Sequence, residues 1–313
     1  MTKNIAVLFN EGHKEILDYI KYYYKLKGVF KEENLNLYTV FTDEYDYKTK
    51  KFNVYNIYEN SIELIENSED INFDLILHRN SHVDYTVKDI EDNYNLMNPT
   101  KFTMLASSKI NSAKFLQKYS PITYHFSKIR NNKDLLEEFK TSSIVIKPED
   151  GHGGTGVEKI KLEELKNNFE NIYKEKTNYI AQEFIDMSDG IKGLVKGFHD
   201  LRYMIFGDTI DYPVLRYPKK GDFRSNYCSG GKKYFLKKEQ VPEEITKKAQ
   251  EIANELIKEF GIIFASIDLA QDKEKGLILV EINSSCGVLN IDSDGVENVD
   301  LHKRIAKFVK DFS

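Results

Sequence analysis

Two apolar runs flanking a short polar turn, with three oxygen-bearing side chains set among them, restrict this chain more than any other feature. They lie at 265–283, ASIDLAQDKEKGLILVEIN, with the turn at 273–276. A hairpin centred on that turn puts Asp272 opposite Leu277 and Asp268 opposite Glu281. Directly paired residues share a face, with Cβ atoms about 5 Å apart. Asn283, two residues past Glu281, shares it too. Asp and Asn are poor strand formers and need a reason to sit there. Two carboxylates so close repel if both stay ionised. A hard divalent cation removes the conflict, and magnesium takes few protein oxygens, completing its shell with water and phosphate. Asp268, Glu281 and Asn283 are therefore the candidate metal ligands.

A second motif is Gly151-His-Gly153-Gly154-Thr155-Gly156. It fits the dinucleotide pattern literally, but that reading needs the loop to open a helix. Here a β-branched strand at 143–146 precedes it and an alternating stretch at 157–160 follows. The loop joins two strands, as a flap does. No Gly-Lys-Ser/Thr closes it, so it is no Walker loop either. A glycine hairpin still lets backbone N–H groups cradle phosphate, and Lys147 at the end of the preceding strand supplies a charge.

The remainder reads as an α/β chain. With 313 residues there is room for two or three packed subdomains. The net charge of −5, with Lys interleaved among Glu and Asp, excludes a nucleic-acid surface. No apolar run reaches membrane-spanning length, and the N-terminal apolar stretch is too short for a signal peptide. Two cysteines, Cys228 and Cys286, form no metal or disulfide spacing, so a cytoplasmic setting is expected. Cys286 reads as a small buried residue.

Strands at 5–9, 35–41 and 73–77 with a helix at 15–26 predict an open α/β sheet over 1–97. Such sheets bind ligands beyond the carboxyl ends of their strands. Glu11 and His13 stand there, as do His78, Arg79, Asn80 and His82, and they are substrate-site candidates. The pattern breaks at Asn98-Pro99. Helices are expected at 107–119, 131–139, 242–260 and 301–309, and a strand pair at 194–217 around Gly207-Asp208. Arg202, Arg216 and Arg224, with Asn226 and a Gly-Gly pair at 230–231, suit phosphate and carboxylate recognition through the guanidinium fork.

Taken in order, Lys109, Lys147-Pro148 with the glycine loop, Gln182-Glu183-Phe184-Ile185, Asp200-Leu201-Arg202, Arg216, the run 221–226, the Gly-Gly pair, Asp268 and Glu281-Ile282-Asn283 resemble the ATP-grasp ligases. Among these the order is most similar to RimK-type glutamate ligases and glutathione synthetases. The resemblance covers 98–313; residues 1–97 match only in fold pattern. It implies a small open α/β domain at 1–97 followed by a two-part ATP-grasp fold. Its first part, 98–181, would carry the flap, and its second, 182–313, the metal site. Lys109 and Lys147 would hold ATP phosphates, with Gly151, Gly153, Gly154, Thr155 and Gly156 closing over them. Glu183, Phe184 and Ile185 would line the adenine pocket, partly through backbone groups. One or two magnesium ions, or manganese in their place, would sit on Asp268, Glu281 and Asn283. Arg202 would meet phosphate or carboxylate, Arg216 the substrate, and Arg224 and Asn226 the transferring phosphoryl group.

The activity implied is ADP-forming ligation of a carboxylate to an amine through an acyl-phosphate, on small-molecule or peptide substrates. The rivals are a small-molecule kinase and a non-catalytic ATP-binding protein. Homo-oligomers are common among such proteins, although no patch in this sequence reads as an interface. The chain departs from the family at Ser285-Cys286-Gly287, where Ser-Pro-Gly is frequent.

Overall fold

Lys3–Phe9 is the middle of the first sheet, and Ile5, Ala6, Val7 and Leu8 are fully enclosed. The structure, a computed structural model, describes residues 2–10, 14–79, 82–151, 153–225, 230–286 and 291–313. Enclosure on both faces explains the unbroken apolar run, because helices and loops cover each side of a parallel core. Lys3–Phe9 pairs in parallel with Leu35–Phe41 on one side and Leu75–His78 on the other. Leu96–Met97 extends the parallel set. Tyr55–Ile57 and Ile62–Leu64 complete six strands at the opposite edge. The helix Ile20–Glu32 buries Ile20, Tyr23, Leu26 and Phe30 against this sheet. The single helix expected at 15–26 is instead a short Lys14–Leu17 and this separate helix, which runs on to Glu32.

A four-stranded antiparallel sheet follows, ordered Glu158–Lys161, Ser143–Pro148, Tyr179–Glu183, Thr123–His125. The helix Leu162–Glu175 covers it with Leu162, Leu165 and Phe169. The last main sheet has five strands, ordered Lys232–Phe235, Thr209–Tyr217, Asp200–Gly207, Ile263–Asp272, Gly276–Asn283. The amphipathic helix Glu243–Phe260 packs on it through Ile245, Ala249, Ile252, Ala253 and Leu256, the face expected from its periodicity. Val299–Phe312 covers the other face, and its Leu301, Ile305 and Phe308 join one core with Ile5, Val7 and Phe9 of the first sheet.

Two further expected helices are broken, each by a capping residue. The stretch 107–119 is split between Thr100–Ser107 and Lys109–Phe115. Ser108 is extended (φ −109°, ψ 115°) and its hydroxyl accepts from the Asn111 N–H, ending one helix and capping the next. The helix expected at 131–139 is instead Phe126–Asn131 followed by a 3-10 turn, Lys133–Glu137. Asn132 separates them and caps Asp134. No helix among the described residues is long and apolar enough to cross a membrane.

Candidate active site

The hairpin of Ile263–Asp272 and Gly276–Asn283 forms, with Asp268 opposite Glu281 as expected. The turn is one residue tighter than read from sequence: Asp272 faces Gly276, not Leu277. Asp272 tightens it by accepting from the Glu274 and Lys275 N–H groups. A bulge between Asp268 and Leu269 on one strand, with Val280 as the extra residue opposite, restores the pairing at Glu281. Val280 and Glu281 consequently line the same cavity, although adjacent residues of a regular strand face opposite ways.

That register extends across the sheet as a row of charges. Arg202 stands opposite Asp268, Asp200 opposite Arg216, and Arg216 opposite Lys233. Arg202 donates Nε and Nη2 to the two Asp268 oxygens at 2.6 and 2.7 Å. Arg216 Nη2 lies 2.7 Å from Asp268 Oδ2 and grips Asp200 with Nε and Nη2 at 3.1 and 2.5 Å. Burial alone would raise the Asp268 pKa, but Arg202 and then Arg216 outweigh it and hold the carboxyl below its ordinary range. Asp200 moves the other way, because burial dominates and Asp268 adds repulsion, although Arg216 opposes both. Arg202 and Arg216 were expected on phosphate or substrate. They are turned onto these aspartates and line neither cavity described below.

The first cavity lies between the four- and five-stranded sheets. Val145, Phe184, Ile185, Met187 and Val280 make one part apolar, and Lys109, Lys147 and Arg224 make another cationic. Gly151, Gly153, Gly154 and Thr155 form the flap over it. Its free volume is about 130 Å³, well below the roughly 300–1,000 Å³ of ligand pockets, so the flap must lift to admit a nucleotide. Gly156 belongs to the flap but not to the cavity wall. Its φ is +71°, and a Cβ there would meet the Tyr179 hydroxyl at 2.7 Å, so its role is to let the loop turn against the sheet.

Three expected site residues are engaged in ways sequence did not reveal. Lys109 donates to the Glu149 and Gly151 carbonyls at 2.8 and 2.7 Å, holding the base of the flap. Arg224 is bonded to Asp222 and donates Nη1 to the Gly154 carbonyl at 3.1 Å, tying its loop to the flap. The Glu183 carboxylate accepts from the Lys140 N–H at 2.7 Å and from Lys275 Nζ at 2.6 Å. This side chain therefore ties the central sheet to the hairpin turn. Gln182, the first residue of the 182–185 motif, also lines the cavity and accepts from Lys147 Nζ at 2.9 Å. His199 was missed, having no motif around it; it lines the cavity while its Nε2 accepts from the Gln271 N–H.

Lys147 is enclosed, and burial pulls its pKa down to about 8 despite the nearby Glu281 charge. Phosphate binding favours the ammonium form. Above about pH 8 nucleotide affinity should therefore fall, by up to about tenfold per pH unit. The Lys147→Arg variant, charged throughout, should lose this slope. Titration of a fluorescent ATP analogue from about pH 6.5 to 9.5 checks it; a flat wild-type profile would remove Lys147 from the phosphate site.

Of the metal candidates, Glu281 has no hydrogen bond or ion pair with another described residue and lines the cavity. Asn283 directs Nδ2 at Asp268 Oδ2 (3.3 Å), which leaves its amide oxygen available to a metal. Asp268 already serves two arginines. Among the described residues no three His, Cys, Asp or Glu side chains form a cage. Two carboxylates and one amide oxygen are the sparse donor set that suits magnesium shared with nucleotide phosphates, so the residues fit the ion.

A second cavity, of about 370 Å³, lies against the ends of Lys3–Phe9 and Leu75–His78 and is lined by Asn10, Tyr19, Arg79, Ser107, Asn283 and Ser285, with Lys109 and Glu281 common to both cavities. His78 does not reach it. As the last, buried residue of its strand it faces Thr103, and burial lowers its pKa to about 4. His82 is exposed and lines neither cavity. Glu11, His13, Asn80 and Asn226 lie outside the described residues.

A glycine loop over a part-apolar, part-cationic cavity between two sheets, with a carboxylate hairpin beside it, is the arrangement expected of an ATP-grasp fold. Residues 108–295 match the family described as "Prokaryotic glutathione synthetase, ATP-grasp domain", and the chain belongs to that family. It is 29% identical over 212 residues to a probable alpha-L-glutamate ligase of Coxiella burnetii, covering 64% of this chain and 62% of that protein. The chain thus spans less than two thirds of the length of the curated relatives it matches first. In fold it is similar to the VanG D-Ala:D-Ser ligase of Enterococcus faecalis (TM-score 0.66, 15% identity, 98% of this chain and 100% of that one). It is also similar to a RimK domain ATP-grasp protein of Sphaerobacter thermophilus (TM-score 0.57, 12% identity, 97% and 98%).

Proposed function

We propose that the protein is an ATP-dependent, ADP-forming ligase that joins a carboxylate to an amine. The observation that carries this reading is the meeting of the two cavities at Lys109 and Glu281. A nucleotide in the first, with its base among Val145, Phe184, Met187 and Val280, directs its phosphates toward a molecule in the second. The glutamate ligase activity in the Coxiella relative's name supports the same class.

In the reaction a substrate carboxylate oxygen attacks the γ-phosphorus of ATP and ADP leaves. The acyl-phosphate is then attacked by an amine, which forms the amide and releases phosphate. Phosphoryl transfer asks a protein mainly for position and charge. Lys147 and Arg224 neutralise the phosphate oxygens, and Lys109 sets the flap. The flap, latched by Arg224 through Gly154, keeps water from the acyl-phosphate. Magnesium, or manganese in its place, would be held by Glu281, Asp268 and Asn283 and would supply charge neutralisation at the phosphoryl oxygens. Arg202 and Arg216 act from behind, fixing Asp268.

Incubation with magnesium-ATP and pooled amino acids, amines, small acids and peptides tests the reading by mass spectrometry. The expected product is lighter by one water than two pool members combined, and appears with ADP and phosphate. A phosphorylated pool member without condensation would make the protein a kinase. ATP bound but unconsumed would make it a binding protein.

A further inference from the structure

We infer that Arg79 anchors a carboxylate that does not react, on an amino-acid or short-peptide substrate seated in the second cavity. The inference rests on the ligase reading and adds the class of substrate to it.

The backbone fixes Arg79 firmly. Its N–H donates to the Leu8 carbonyl at 3.1 Å, and its carbonyl accepts from the Ser285 hydroxyl at 2.9 Å. The residue therefore joins the end of the first sheet to the loop that follows the carboxylate hairpin. Its guanidinium is poorly served. Among the described residues, Nε and Nη1 are enclosed without a hydrogen-bond partner. Among the described residues, the side chains that reach it are the Tyr23 hydroxyl and the Cys286 thiol, and no carboxylate pairs with it. An enclosed charge with neutral, incomplete partners is costly for a fold to keep. An anionic ligand would remove that cost.

The surroundings say which kind of anion. Arg79 is on the wall of the 370 Å³ cavity, near the small end of the range for ligand pockets. Asn10, Ser107 and Ser285 add neutral polar groups, and Tyr19 adds a ring. The planar guanidinium matches a carboxylate with two parallel bonds, which an ammonium cannot do. A molecule held at Arg79 by one end extends toward Lys109 and Glu281, where the nucleotide cavity begins. One carboxylate at the anchor and one reacting group at the far end describe an amino acid or a short peptide.

The test uses the whole chain with magnesium and a non-hydrolysable ATP analogue. Saturation-transfer NMR compares common amino acids and alanyl dipeptides with their C-terminal amides. Free acids should bind and amides should not. Arg79→Gln should weaken acid binding about 30-fold or more, the loss expected when one partner of an enclosed charge pair is removed. Arg79→Lys should retain a weaker preference for acids. Nucleotide affinity should be unchanged in both, and the Arg79→Gln melting temperature unchanged or higher, because an unmatched charge has gone. Equal binding of acids and amides, acid binding that survives Arg79→Gln, or no binding of any acid by the wild type would each overturn the inference. Acid binding through Arg79 without a condensation product in the mass-spectrometric assay would keep the anchor and remove the ligase reading. Condensation unaffected by Arg79→Gln would do the reverse.

Discussion

Glu281→Gln is expected to lower turnover about a thousandfold, roughly 4 kcal/mol of barrier, with little change in melting temperature. Two observations set this asymmetry. Among the described residues nothing is bonded to the Glu281 carboxylate, so its loss leaves no partner stranded. Of the two candidate carboxylates it is also the one that no arginine occupies, since Asp268 is bound by Arg202 and Arg216. A carboxamide keeps the shape and removes the charge. The Glu281 charge also supports the Lys147 ammonium, so the variant should bind ATP more weakly at high pH as well. ADP release measured across a magnesium titration, beside a thermal melt, checks both halves. A variant that kept metal-dependent turnover would show that the hairpin holds no catalytic ion.

Asn98→Ala should cost about 3–5 kcal/mol of stability, a loss confined to a short list of mechanisms of which this is one. Asn98 is buried with φ +68°, a left-handed conformation that asparagine tolerates and alanine does not. Its Nδ2 donates to the Phe264 and Ser284 carbonyls, both at 2.7 Å, and its Oδ1 accepts from the Phe264 N–H at 2.8 Å. The amide side chain thus stands in for a peptide group where the hairpin strands diverge past Asn283. Alanine would leave three backbone groups enclosed and unpaired. Denaturant unfolding read by tyrosine fluorescence measures the loss; a change under about 1 kcal/mol would mean that water replaces the amide.

Asn98 also shows where sequence reading stops. The pattern break at Asn98-Pro99 was legible, but it marked only a change of texture. That the asparagine fastens the first sheet to the last depends on pairing 166 residues apart in sequence, at Phe264. The same limit holds elsewhere. The Asp268–Glu281 pairing was legible because alternation and one turn fix it, whereas the bulge that delivers it was not. The three arginines were legible as a group. Their partners were not, because Arg202 meets Asp268 only once two distant strands lie side by side. The helix breaks at Ser108 and Asn132 depended on side-chain caps competing with good helical spacing. His78 read as a site residue because of its place at a strand end, and burial against Thr103 decided otherwise. Glu183 is on the cavity wall, but its carboxylate is tied to Lys275 and to the Lys140 N–H, partners that no local pattern announces.

The bulge at Val280 gives the nucleotide cavity a direction. One extra residue turns a greasy side chain and a charged one to the same side, a single step apart along the chain. An elongated molecule with an oily head and an anionic tail can lie along that step in one sense only. Deleting Val280 would not merely shorten the strand. It would leave Glu281 opposite Asp268, because Leu279 already faces Leu269, but it would strip the oily point from the compass that would orient a nucleotide.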